Sequence, residues 1–400
     1  MAPLVLLQSS DWHVGSPLSG RGLGLTEELR AKRREDVDAA PERLVAAARE
    51  VRPDLVLLPG DLWDAENLPP ALFRRLVEAI AALAPAPVFV APGNHDFAGP
   101  GGFYDAAFLE ALGLPAWPAN AVVFRSAEWE TLPVPGREDA AVTGRAFLSP
   151  LLEAGRPLDP PPPRPGVPFA LLMLHGSLEG YRGPDGPTGA KCTAPFSREE
   201  LAGSGFDWAA LGHHHRFEVV ERESGLPVGA YSGSPTGRGL DETGPRVFLK
   251  VTLAQGAAAR VETIPADARQ VLDLVLEAGG RDADALRETA LAALLEAGAA
   301  AADIVRLTVR GRPAPGTRAV PALSDLKGLV SHLALRDRTV ADTEGRADRA
   351  TAEGRFALEL ESRLAAAPDA RARRVAELAY ALGRDALLGR LPAPPPTEDL

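Results

Sequence analysis

Short apolar runs alternate with amphipathic stretches along the first half of the chain. Leu4–Gln8 is a compact apolar run that stops at Ser9, Ser10 and Asp11. Residues 27–50 carry Val37, Ala40, Leu44, Val45 and Ala48 at helical spacing, and Pro41 among them predicts a kink or a break. Residues 54–59 predict a second buried strand bounded by Gly60, residues 68–83 a helix, and residues 87–91 a third strand. This β-α-β-α-β order predicts a largely parallel sheet covered on both faces. Residues 122–144 alternate short strand-like runs with turns, and the proline-dense residues 157–168 predict a surface loop. A continuous apolar strand over 169–174 ends at His175, and Ser197 with Glu200 forms a capping-box pattern that opens a short helix. The run 208–211 ends at Gly212 and His213, and residues 217–222, 228–231 and 247–253 read as hairpin-like strands.

The pattern changes after about residue 265. Residues 271–276, 284–297 and 304–309 predict strand, helix and strand, followed by a helix over 323–333, which would carry His332, and a strand over 334–340. Residues 356–388 are helical in pattern, interrupted near Pro368, and the proline-rich, acidic residues 391–400 predict a disordered tail. The expected organisation is therefore a first domain over 1–260, a small α+β domain over 265–345, a helical segment over 350–390 and the tail.

Composition narrows the partners. The 400 residues carry a formal net charge of -11, which argues against a uniformly basic nucleic-acid coat. A local basic patch beside bound cations can still hold phosphates. The single cysteine, Cys192, allows no intrachain disulfide framework and is read as inert. No apolar run approaches the roughly 18 residues of a membrane span, and the opening residues read as a strand rather than a signal peptide. A cytoplasmic protein with no membrane association is the expectation.

The candidate chemistry lies in five clusters that hold six of the seven histidines: Asp11-Trp12-His13, Gly60-Asp61-Leu62-Trp63-Asp64, Gly93-Asn94-His95-Asp96, His175-Gly176 and Gly212-His213-His214-His215. Each begins at the C-terminal end of a predicted strand, and in an open α/β sheet those ends form the rim where ligands bind. Carboxylate, imidazole and amide oxygen together suit borderline-hard divalent ions such as manganese, iron or zinc. Two such ions roughly 3.5–4 Å apart can activate a shared water and neutralise charge on a phosphoryl group.

The order D-x-H, G-D-x-x-D, G-N-H-D, H-G, G-H-x-H over residues 11–215 resembles the calcineurin-like metallophosphoesterase family. That resemblance implies a two-sheet sandwich flanked by helices, with a small α+β cap domain and C-terminal helices. It implies a first metal on Asp11, His13, Asp61 and His215, and a second on Asp61, Asn94, His175 and His213, with Asp61 bridging. It implies two divalent ions, manganese leading, with iron, zinc or magnesium as alternatives. His95 would face the scissile phosphate and Asp96 would orient it through a hydrogen bond.

Asp11-Trp12-His13-Val14-Gly15, the Arg-rich stretch around Lys32-Arg33-Arg34 and the Tyr231-Ser232-Gly233-Ser234-Pro235 loop resemble the DNA repair exonuclease branch, SbcD/YhaO-like. That branch implies DNA as substrate, a homodimer and an SMC-like coiled-coil ATPase partner docking on C-terminal helices, here residues 356–388. The alternatives are a phosphodiesterase or phosphatase acting on small molecules or phosphoproteins, and a scaffold subunit without chemistry. Several residues keep two readings. Arg21, Arg30, Arg33 and Arg34 either contact phosphates or form a solvated face, and Arg238 either touches a phosphate or is a turn residue. Asp64 either holds a water, orients His95 or caps a helix, while His214 is expected to point away from the ligands and His332 to be structural.

Overall fold

In chain order the first half comprises β1 (Leu4–Gln8), α1 (Glu27–Asp38), α2 (Ala40–Val51), β2 (Leu55–Leu58), α3 (Pro70–Ala81), β3 (Val88–Val90), α4 (Ala106–Ala111), β4 (Ala121–Val123), β5 (Glu130–Val134) and β6 (Arg137–Gly144). It continues through β7 (Phe169–His175), α5 (Arg198–Gly203), β8 (Trp208–Gly212), β9 (Glu218–Glu221), β10 (Pro227–Tyr231), β11 (Val247–Leu253) and β12 (Arg260–Pro265). The computed structural model describes residues 1–18, 25–64, 68–150, 155–181, 193–239, 242–314, 316–339 and 350–387. Arg21, Cys192 and the tail 391–400 lie outside the described residues.

The strands form the two sheets that the resemblance implied, both mixed, and the parallel run expected from the β-α-β-α-β order lies within the first. The first has the order β12-β11-β1-β2-β3-β4, and the second β5-β6-β7-β8-β10-β9. Within the first, β1 to β4 run parallel while β11 pairs antiparallel with both β1 and β12. Within the second, β6, β7, β8 and β10 are parallel and the edges are antiparallel. The continuous apolar runs follow from burial on both faces. Leu4, Leu6, Leu55, Leu57 and Phe89 face Val142, Leu171, Met173 and Trp208 of the other sheet. The alternate residues Leu7, Val56, Leu58 and Val90 pack with Leu44, Phe73 and Ile80 from α2 and α3. On the outer side of the second sheet, Leu172, Leu174 and Leu211 pack with Leu201 of α5 and with Phe206. The helical stretch containing Pro41 breaks at Ala39, and Pro41 sits in the first turn of α2, where its missing N–H is no loss. Ser197 and Glu200 form the expected capping box.

The parallel registers bring the C-terminal ends of β1, β2, β3, β7 and β8 to one rim. Backbone hydrogen bonds carry the pairing past the strand ends: Asp11 N–H donates to Gly60 C=O at 3.0 Å and His13 N–H to Asp61 C=O at 3.1 Å. The rims of the two sheets meet so closely that a Cβ on Gly212 would lie 1.9 Å from the Pro59 carbonyl oxygen. Gly60, at φ +86°, makes a turn that an L side chain rarely adopts. Between the sheets, buried Gln8 accepts from Trp208 Nε1 at 3.0 Å and donates to Ala230 C=O at 2.7 Å, satisfying polar groups that would otherwise be stranded in the core.

The chain divides into two compact units, Met1–Val271 and Leu272–Leu400, and β12 belongs to the first. The second contains β13 (Val271–Glu277) from Leu272 onward, α6 (Ala283–Glu296), β14 (Ile304–Gly311), α7 (Ala319–Ala322), β15 (His332–Thr339), α8 (Ala352–Ala365) and α9 (Ala370–Leu387). A three-stranded sheet β13-β14-β15 packs Leu276, Val305, Leu307 and Leu333 with Leu286 and Leu294 of α6. The helix expected over 323–333 is instead a 3-10 turn at Ser324–Leu329, and His332 opens β15. The apolar residues there pack against a helix from one side of a strand, and period 2 wins over period 3.6. α8 and α9 pack on each other through Phe356, Leu360 and Tyr380. Among the described residues no helix is long and apolar enough to cross a membrane.

The closeness of the rims predicts that Gly212→Ala destabilises the protein by about 1–3 kcal/mol, because the added Cβ meets backbone that cannot rotate away. Thermal unfolding followed by circular dichroism should show a clearly lowered midpoint; an unchanged midpoint would mean the rims separate without cost.

Candidate metal centre

The five clusters converge on the rim. Asp11, His13 and His215 each place a ligand atom within 4.8 Å of the others, and Asp61, His175 and His213 do the same. Asn94 joins the second group, with Oδ1 3.0 Å from His175 Nε2. Asp61 lies between them: its Oδ2 is 3.9 Å from His13 Nε2 and 3.4 Å from His175 Nε2. All seven residues that the resemblance implied as ligands are thus neighbours.

Local backbone geometry aims these side chains. Asp11, His13, Asp61 and His213 all have positive φ, at 55°, 50°, 53° and 103°. Non-glycine residues adopt that region at a cost of roughly 1–3 kcal/mol each, and only where surrounding contacts dictate it. Those contacts are present. His213 N–H donates to Asp11 Oδ1 at 2.9 Å, Ser234 Oγ donates to the Asp11 carbonyl at 2.7 Å, and His95 N–H donates to Asp61 Oδ1 at 2.8 Å.

Three rings are also fixed from behind. The Nδ1 atom of His13 meets Asp64 Oδ1 at 2.7 Å, that of His175 meets the Pro59 carbonyl at 2.9 Å, and that of His215 meets Glu242 Oε1 at 2.9 Å. An acceptor behind Nδ1 puts the proton there and leaves Nε2 bare toward the cluster, as in metal-ligating histidines. His13 Nε2 and His215 Nε2 face each other at 3.2 Å, a separation at which two bare nitrogens repel unless a cation or a proton lies between them. Imidazole, carboxylate and amide oxygen converging in this way fit a binuclear divalent-metal site.

His95 borders this cluster, with its side chain 49% exposed. Its partner is not Asp96 but Asp64, whose Oδ1 lies 3.2 Å from His95 Nδ1. Asp96 is fully buried and its oxygens are engaged elsewhere. Oδ1 accepts from the N–H groups of Asp61 and Gly93, and Oδ2 from Leu62 N–H and Tyr104 Oη. The G-N-H-D aspartate therefore ties the β2 and β3 loops together instead of orienting the histidine before it. Asp64 serves both His13 and His95.

Other expectations divide. His214 points away as expected: it is buried, stacks on Tyr181 with centroids 3.5 Å apart, and accepts from Leu178 N–H at Nε2. Arg33 is not a phosphate contact, since it is 1% exposed and donates to Asp36, to Asp267 and to the Gly237 carbonyl. Arg30 and Arg34 pair with Glu27 on the exposed side of α1. Arg238 is no mere turn residue, with Nη2 2.6 Å from His215 Nδ1 and 2.9 Å from Glu242 Oε1. Sequence reasoning gave Glu242 no role at the site, and only the fold of the loop after β10 brings it to His215.

Burial and charge set the titration of the cluster. Burial raises the Asp11 carboxyl to about 6 and lowers the His13 imidazole to about 4, while His213 is driven well below its usual range for the same reason. Burial opposes charge on Asp61, yet the His175 ring outweighs it and holds the carboxyl well below the ordinary range. Conversely, burial opposes charge on His175, but Asp61 raises that ring to about 9. The hydrogen bond to Asp64 raises His95.

The calcineurin-like phosphoesterase family profile matches residues 4–217. The uncharacterized metallophosphoesterase YhaO of Bacillus subtilis is 30% identical over 266 residues, 64% of this chain and 59% of its own length. The DNA double-strand break repair protein Mre11 of Aeropyrum pernix is 39% identical over 93 residues, 23% of this chain and 20% of its own. The match thus spans about three fifths of the first of these relatives and a fifth of the second. Among solved structures, TT1561 of Thermus thermophilus aligns at TM-score 0.35 and 12% identity, covering 66% of this chain and 100% of its own.

Two outcomes follow. Asp61→Asn should weaken binding of both ions in metal analysis, whereas His95→Ala should keep its metal and lose turnover by roughly 10²–10⁴-fold; a metal-free His95→Ala protein would show that this ring is a ligand. Because His175 must release its proton to bind metal, apparent affinity should rise as pH rises from about 6 toward its pKa of about 9, and fall on the acid side. Calorimetry in buffers of different ionisation enthalpy should register proton release; a pH-independent affinity with none would remove His175 from the ligand set.

Proposed function

Given that this chain belongs to the calcineurin-like phosphoesterase family, we propose that it is a two-metal phosphodiester hydrolase whose substrate is DNA, cleaved as an exonuclease or endonuclease. The observation that carries the hydrolase reading is the convergence of Asp11, His13, Asp61, Asn94, His175, His213 and His215 on one rim, with His95 beside them. The first four-residue set is Asp11, His13, Asp61 and His215, the second Asp61, Asn94, His175 and His213. Bound there, two divalent ions, manganese first, would supply Lewis-acid charge and an activated water.

The remaining steps belong to the chain. Asp64 accepts from His95 Nδ1, so the exposed edge of the ring presents Nε2 to a phosphate at the rim. The Asp64 hydrogen bond also raises the His95 pKa, so the ring can carry a second proton on Nε2, and in that charged form it donates a hydrogen bond to the phosphoryl group or that proton to the leaving oxygen. Asp96 keeps the amides of Asp61, Leu62 and Gly93 in place, so the carboxylate of Asp61 does not swing out of the cluster.

DNA as substrate is supported by the likeness to Mre11 over 93 residues. By the same reading the protein is a cytoplasmic homodimer that works with an SMC-like coiled-coil ATPase, for which α8 and α9 are the docking segment. A second reading, a phosphodiesterase acting on small molecules, draws support from the inward-turned Arg33, the Glu27-paired Arg30 and Arg34, and the net charge of -11. The complete donor set disfavours a scaffold without chemistry.

The deciding assay offers manganese-loaded protein linear double-stranded DNA, single-stranded DNA and a chromogenic bis-phosphodiester, beside His95→Ala and His175→Ala. DNA cleavage abolished in both variants is the expected result. Activity confined to the small diester would replace the nuclease reading with the second one, and a metal-loaded protein inert on every substrate would sink both.

A further inference from the structure

The loop after β10 returns to the metal centre and places two opposite charges behind one imidazole. His215 Nδ1, Glu242 Oε1 and Arg238 Nη2 form a closed triangle with edges of 2.9, 2.9 and 2.6 Å. The three contacts cannot all be hydrogen bonds at once. Arginine carries only donors and a carboxylate only acceptors, whereas a neutral imidazole nitrogen is one or the other. If Nδ1 accepts from Arg238, the ring proton sits on Nε2. If Nδ1 donates to Glu242, Nε2 is bare. Nε2 is the nitrogen that faces His13 across 3.2 Å, on the side of the rim cluster.

We propose that Glu242 is a positioning residue that selects the Nδ1–H tautomer of His215 against the competing donor Arg238. The surroundings are built for this choice. Glu242 is only 5% exposed, and Oε1 takes both Nε and Nη2 of Arg238 while Oε2 accepts from the Arg238 N–H, so the carboxylate cannot rotate away from the ring. The loop itself is pinned from below, where Arg33 Nε donates to the Gly237 carbonyl at 2.6 Å and Asp267 accepts from Gly237 N–H at 3.0 Å. Arg246 donates to the His215 carbonyl at 2.5 Å, which fixes the ring's own backbone. Arg238 thus has a double effect. It keeps Glu242 charged and oriented, and it is the donor that would take Nδ1 if the carboxylate were absent.

The inference rests on His215 binding metal through Nε2, and its test separates the two claims. Metal-free protein labelled with ¹⁵N-histidine is read by NMR above the imidazole titration range, in a His13→Ala background so that no second bare nitrogen faces His215 Nε2, with His215 assigned from a His215→Asn variant. Wild type, Glu242→Gln, whose amide oxygen still accepts, and Arg238→Met should all show the proton on Nδ1. Glu242→Leu should move it to Nε2, and the double variant Glu242→Leu/Arg238→Met should recover part of the Nδ1–H population because the competing donor is gone. Manganese titration of Glu242→Leu should show one of the two ions bound roughly 10–100-fold more weakly. A folded Glu242→Leu protein that keeps Nδ1–H would overturn the proposal. Glu242→Asp covers a leucine variant that does not fold: its shorter reach should shift the population toward Nε2–H, and an unchanged spectrum would count equally against it. A shifted tautomer with undiminished manganese affinity would leave the selector standing and remove His215 from the ligand set instead.

Discussion

A buried negative charge at the centre of the rim organises what surrounds it. Asp61 is almost fully enclosed, and an ionised carboxylate in such a place is stable only if cations and N–H groups compensate it. Here the compensation comes from the His175 ring, raised to about 9, and from the His95 amide. These come from different strand ends. The charge can be met only if the ends of β3 and β7 reach the same point as the end of β2, so the electrostatics of one carboxylate depend on the register of two sheets. That is why the rims approach at Gly212 and Pro59 more closely than any side chain allows.

A shell of fixed polar contacts holds the arrangement in place. Asp96 gathers the amides of two loops and is itself held by Tyr104, whose ring lies beside Trp63 and Trp117 in an aromatic cluster. On the other side Arg33 and Asp267 hold the loop that carries Arg238 and Glu242. Both shells are buried, where hydrogen bonds to charged groups are strong and unpaired groups are costly. They offset the unfavourable φ values of Asp11, His13, Asp61 and His213. The strain lies at the cluster because there backbone direction decides which atoms meet.

The arginines of α1 show how far pattern reading goes. In sequence, Arg30, Arg33 and Arg34 form one basic stretch, and an exposed basic face is a reasonable expectation. In the structure they separate by helical phase. Arg33 falls on the inner face, where Asp36, Asp267 and a backbone carbonyl consume its donors, and Arg30 and Arg34 fall on the outer face beside Glu27. A charged residue on the inner face of a helix is retained only where acceptors await it, and two of these, the Gly237 carbonyl and Asp267, lie more than 200 residues away in the chain.

The sequence by itself determined the elements and the chemistry of the rim. Apolar runs ending in Asp, His, Asn and Gly clusters mark β1, β2, β3, β7 and β8, and all seven candidate ligands were legible in five short motifs, because ligand type and strand termination are local properties. The strand β12, the pairing of β11 with β1, the start of β15 at His332, the choice of Asp64 over Asp96 as the partner of His95 and the partner of His215 were decided only by the tertiary structure. Sheet pairing and the contact of a carboxylate with a ring depend on which distant segments share a place: Asp64 stands in a motif but with several readings open, and Glu242 does not differ in sequence from an ordinary surface acid. Local motifs therefore marked the groups that gather at the rim, whereas three-dimensional packing chose the groups that orient them.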